Sequence, residues 1–183
     1  MLSFLKYLIQ LVLSPTHGWE DISRENPDPK ELTARGLYPL MGIAAITEFL
    51  AFAYERNISI DKVLVRAVAD FGAYFIGFFI AKLVFDIYLK NLTSSEPDKS
   101  NVATFSTMAI GLMVFIQIIS NCLPWKSLVF VKLLPLYTIL VIFHAAPYLK
   151  IRKNREMNFV GIATGATVAV PLVLYYFLYF ILP

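Results

Sequence analysis

Apolar positions fall in five long runs, about residues 36–54, 67–90, 102–123, 126–146 and 159–182, parted by short polar or charged stretches. A run of roughly twenty apolar residues, rising 1.5 Å per residue as a helix, matches a hydrocarbon core of ~30 Å. The unbroken run 71–85 lacks the two-residue alternation that a membrane barrel requires. The pattern therefore predicts an all-α fold, a polytopic membrane helix bundle of five transmembrane helices.

The first residues follow a different rule. In 1–13, Ser3, Lys6 and Gln10 recur at three- and four-residue spacing with Ser14, which makes a polar stripe on an otherwise apolar helix. The segment is too short to span, and it lacks the basic start and small-residue cleavage site of a signal peptide. It is expected to be a short interfacial amphipathic helix. The chain thus divides into an interfacial and cytoplasmic segment, 1–35, and a five-helix transmembrane domain, 36–183.

Local signals refine this division. Ser14 before Pro15 predicts an N-cap and a second short helix bearing Trp19 and Ile22, with Trp19 suited to an interface anchor. Asp28 and Glu31 form a capping pair ahead of the first span. Pro124 and Trp125 mark a tight turn, while Pro39, Pro135 and Pro171 free backbone carbonyls within or beside spans, which Thr164 and Thr167 could partly satisfy.

Composition agrees with the pattern. Hydrophobic residues make up 58 % of 183 positions and charged residues 16 %, against roughly 25 % charged in soluble domains, and mean hydropathy is +0.66. The single cysteine, Cys122, excludes an internal disulfide and a multi-thiolate metal site. No phosphate loop, nucleophile elbow or clustered ligand set occurs, so neither catalysis, a cofactor nor a bound metal is expected.

Charge sets an orientation. An odd number of spans places the N-terminal segment and the loops after spans 2 and 4 on one side. That side carries Lys6, Arg24, Lys30, Arg35, Lys90, Lys99, Lys150, Arg152, Lys153 and Arg155, and the other only Arg56, Lys62, Arg66 and Lys126. The N-terminus is expected in the cytoplasm and the C-terminus outside. The four basic residues of the last loop read as this topology signal beside anionic headgroups, so membrane lipids are the expected partners and nucleic acid is not.

Ionisable groups within the spans carry the candidate chemistry, because each costs at least ~2.5 kcal/mol at mid-bilayer. Counted from the outer ends of their helices, Glu48 and Lys132 lie at a depth of roughly 9 Å, with Gln117 at about that level and Asp70 slightly shallower. These four form a candidate intramembrane polar site. One reading is a cation, proton or headgroup site built on two close carboxylates; the other is a salt-bridged network fixing helix register. Lys82 and Asp86, four apart on span 2, form a secondary polar pair on one helix face. His144 has no ligand partner at metal spacing.

The order of parts resembles the Yip1-domain family in its bacterial form: an apolar N-terminal segment, then Pro15-x-x-x-Trp19-x-x-Ile22, a polar stretch, and five close spans with Pro39 near the start of the first. The resemblance implies a five-span bundle in a bacterial inner membrane, N-terminus cytoplasmic, with no established enzymatic activity. The Asp-Leu-Tyr-Gly-Pro motif of the eukaryotic trafficking members is missing, so their role is not implied. Two functions follow as expectations: a membrane scaffold or interaction protein working through partners or self-association, or a small conduit for an ion, proton or lipid.

Overall fold

The computed structural model describes residues 1–94, 97–123 and 133–182. Seven helices are found among them: α1 (Leu2–Leu13), α2 (Pro15–Glu25), α3 (Pro29–Tyr54), α4 (Ile60–Leu92), α5 (Lys99–Cys122), α6 (Leu134–His144) and α7 (Lys153–Ile181). The described residues contain no strand beyond the single antiparallel bridge Thr93–Ile151.

Four of these, α3, α4, α5 and α7, are long and apolar enough to cross a membrane. The expected fourth span is represented by α6, eleven residues long; its first part, with Lys132, and the expected turn at Pro124 and Trp125 lie outside the described residues.

Helix starts follow local chemistry. Asp28 and Asp98 accept the N–H of Lys30 and Ser100, and each satisfies a donor that the first turn leaves unpaired. Glu31 does not complete the expected capping pair; it binds Arg35 one turn on at 2.9 Å. Pro15 opens α2, while Asn26 ends it in the left-handed region at φ 41°.

Two wide π-turns interrupt α3 and α7, over Thr33–Leu37 and Gly165–Ala169. Each lies two residues ahead of a proline, Pro39 or Pro171, whose ring would strike the carbonyl four residues back in a regular helix. Widening the turn carries that carbonyl clear. Thr167 donates to the Ala163 carbonyl at 2.8 Å, whereas the Thr164 hydroxyl finds no partner among the described residues.

Helix α5 is the axis of the bundle. Of its most apolar stretch 72 % is buried, against 33–44 % for α3, α4 and α7. Around it α3 packs on α4, α4 packs along α7, and α6 fills the space between α5 and α7.

The N-terminal pair packs on the bundle. Phe4, Tyr7, Leu8 and Leu11 of α1 are buried in the main core. Phe4 fills the space left by two glycines; a Cβ on Gly36 of α3 or Gly111 of α5 would come within 2.4 Å and 2.6 Å of its ring. Part of the polar stripe meets α2, while Ser3 and Lys6 stay exposed. Lys6 meets Glu25 at 3.1 Å, Gln10 donates to Asp21 at 2.9 Å, and the Tyr7 hydroxyl donates to Glu25. Trp19, expected as an interface anchor, is 2 % exposed; its ring stacks on Tyr148 and meets Phe105 at a tilt of 39°. Leu2, Ile9 and Leu13 of α1 stay exposed beside these contacts.

Candidate intramembrane polar site

The site forms where α3 ends. A tightened turn over Glu48–Leu50 precedes the last turn of this helix, Ala51–Tyr54, and Glu48 is left 7 % exposed. Its Oε1 accepts from Asn121 Nδ2 at 3.0 Å and from Gln117 Nε2 at 3.3 Å. Gln117 and Asn121 lie four apart on α5 and so project from one face. Asn121 also donates to the Thr47 hydroxyl at 3.1 Å, and that hydroxyl donates to the Ala44 carbonyl at 2.6 Å. Glu48 is therefore a carboxylate held by neutral amides.

Asp70, on α4, is held by nothing comparable. It is 2 % exposed, and its Oδ2 has no hydrogen-bond partner among the described residues. Burying a carboxylate without a donor is one of the more expensive arrangements a fold can contain.

Both acids line one cavity of about 600 Å³. Helix α4 contributes Arg66, Asp70, Ala73 and Tyr74, and α7 contributes Pro171, Tyr175, Tyr176 and Tyr179. The four-residue repeats on each helix explain why these positions share a face. At the deep end Gly77 brings the two helices together, for a Cβ there would lie 2.9 Å from Pro171. Towards the other end Arg66 donates both guanidinium nitrogens to Glu55, at 2.6 and 3.1 Å. A second cavity, about 550 Å³, lies on the far side of this pair and shares Glu48, Ser120 and Asn121 with the first.

Of the expected site, the fold brings Glu48, Asp70 and Gln117 around one space; Lys132 lies outside the described residues. Lys82 and Asp86 do not form the expected pair: both are exposed, with no ion pair between them among the described residues. A helix repeat places them on one face, but that face has no protein opposite it. Pro15, Trp19 and Ile22 serve packing, the first opening α2 and the other two entering the core. His144 pairs with the Thr16 hydroxyl at 3.1 Å. Among the described residues no group of three His, Cys, Asp or Glu could hold a metal ion.

Asn121 and the tyrosines of α7 were not anticipated. Asn121 was visible as a second amide one turn beyond Gln117. The tyrosines carried only the generic signature of aromatic residues near a membrane boundary.

The chain matches no family model, no curated protein and no solved structure.

Proposed function

We propose that this is a five-crossing protein of a bacterial inner membrane, its N-terminal segment cytoplasmic, which admits a polar solute or lipid headgroup to the cavity from the opposite side. The observation that carries this reading is that Asp70, whose buried Oδ2 has no partner among the described residues, lines about 600 Å³ of space. That volume is within the usual range of small-molecule sites, ~300–1,000 Å³. An intramembrane acid needed only for the fold should be paired, as Glu48 is; one needed for a ligand is left without a partner until the ligand arrives.

The crossing number is supported by which helix ends meet. Tyr54 donates to the Cys122 carbonyl at 3.1 Å, so α3 and α5 end together. At the opposite end Thr93 bridges Ile151, and Tyr148 donates to Asn101 at 3.3 Å. Cys122 and Tyr148 lie at opposite ends of the bundle, which supports a fifth crossing between them. Most of the basic residues cluster at the second end, the cytoplasmic one by the positive-inside rule. The cavity, with Glu55 and Arg66 near its rim, faces the first. Its lining offers carboxylates, amides and phenols, groups suited to holding a polar ligand.

The Yip1-like scaffold is the second reading, favoured by Trp19 and Ile22 of the short motif. These side chains fasten the N-terminal pair to α5 and α6 and so present a fixed cytoplasmic surface.

Thiol labelling tests the proposal. With Cys122→Ser removing the native thiol, Ser120→Cys should react with a membrane-impermeant, water-requiring reagent applied from the non-cytoplasmic side only. Lys153→Cys should react only from the cytoplasmic side. An unreactive Ser120→Cys, or reaction of both from the same side, contradicts it.

A further inference from the structure

Resting on the cavity reading above, we infer that the ligand's binding group is an organic ammonium, a positively charged nitrogen carrying carbon substituents, with Asp70 as its ionic contact and the tyrosines of α4 and α7 as its wall.

Charge supplies the first step. Arg66 and Glu55 satisfy each other, and Glu48 Oε1 already accepts from two amides. Asp70 lines the cavity, and its Oδ2, buried within the wall, accepts from nothing among the described residues. What it lacks is a donor or a positive charge, so a neutral acceptor or an anion would leave it worse placed than water does.

Size and lining supply the second. A bare metal ion is far smaller than about 600 Å³ and needs several converging ligands, roughly six to eight oxygens for calcium. No three acidic, histidine or cysteine side chains among the described residues are grouped so that they could hold a metal ion. Four phenol rings, Tyr74, Tyr175, Tyr176 and Tyr179, border the space instead. Aromatic faces attract a cationic nitrogen, and their carbon surface suits the methyl or methylene groups attached to it. A carboxylate with aromatic walls therefore selects an alkylated ammonium over a hydrated alkali ion. Two sources carry this chemistry: the amine headgroup of a phospholipid and a free water-soluble amine.

The test uses the full chain purified in an uncharged maltoside detergent, with choline chloride and ethylammonium chloride as probes and potassium chloride at equal ionic strength as control. Titration calorimetry should show saturable binding of at least one ammonium and none of potassium. Asp70→Asn should weaken binding at least tenfold while the variant stays monodisperse. Tyr175→Leu should weaken it several-fold, whereas Tyr175→Phe, which keeps the ring, should stay within about twofold. Competition by phosphatidylethanolamine but not phosphatidylglycerol would assign the lipid source; its absence would assign the free amine.

Absence of probe binding to the wild type, or unchanged binding by a folded Asp70→Asn, overturns the inference. Binding that appears only in Lys132→Gln also overturns it, since the chain would then supply its own cation. If Ser120→Cys labels as expected while no ammonium binds, the cavity reading stands and only the ligand class falls.

Discussion

Trp19 donates its indole N–H to the carbonyl of Val141 at 2.9 Å, across 122 positions of the chain. Val141 lies in the last turn of α6, where a helix leaves four carbonyls without intrahelical donors. Trp19 thus caps α6 from α2, and its ring, 5.3 Å from that of Tyr148 and 5.7 Å from that of Phe105, ties both to α5.

Trp19→Phe should keep most of the stacking and lose the cap, lowering stability by about 1–3 kcal/mol through the buried carbonyl left unpaired. Trp19→Ala should lose the ring as well, about 3–5 kcal/mol. Denaturant unfolding of the detergent-solubilised chain measures both. Equal stability of Trp19→Phe and wild type would show that the cap contributes nothing.

Gly111 and Phe4 should behave as one unit. Alanine normally favours a helix by about 1 kcal/mol over glycine, yet a Cβ at Gly111 would sit 2.6 Å from Phe4 Cζ. Overpacking of about 1–3 kcal/mol should outweigh the propensity gain. Gly111→Ala is expected to destabilise the wild type but to be tolerated with Phe4→Leu, whose side chain stops short of that point. Additive effects in the double-mutant cycle would mean that α1 does not pack here.

The link between α1 and α2 predicts a response to alkali. Burial, then the hydrogen bond to the Glu25 carboxylate, pushes the Tyr7 phenol from 10.0 up to about 12. Folding favours the neutral phenol, so its contribution is complete below pH 10 and fades as pH rises from 10 through about 12. Glu25 has the opposite sign. The Tyr7 hydrogen bond, then that from Lys6, holds its carboxyl below 4.5, so its contribution is present above that value and lost as pH falls through the lowered one. Tyr7→Phe should show a shallower stability loss than wild type between pH 10 and 12 in thermal melts. Parallel curves would contradict the pairing.

The long spans were legible because lipid demands continuous apolar runs; α4 and α5 coincide with theirs to within a few residues at α5 and extend beyond the expected run at α4. Depth was also legible, since a helix converts sequence position into height, and Glu48, Asp70 and Gln117 meet on that account. Rotation was not. Nothing in 67–90 states that Asp70 turns towards α7 while Lys82 and Asp86 turn outward. The polar stripe of α1 likewise declared one polar face without saying whether water or Asp21 and Glu25 would meet it. Trp19 failed for a related reason: an indole with one polar atom suits a headgroup layer and a helix-capping pocket equally.

The central claim, that Asp70 serves a ligand and not the fold, is tested most directly by melting Asp70→Asn with and without choline. A buried carboxyl without a partner is a burden on the ligand-free protein whether it keeps its charge or takes a proton, so Asp70→Asn should hold or raise Tm. A gain of about 1 kcal/mol corresponds to roughly 2–4 °C in a chain of this size. The variant should also lose the choline-induced rise seen in the wild type. A fall of several degrees in the ligand-free Tm would show instead that Asp70 is paired within the fold, and would contradict the account.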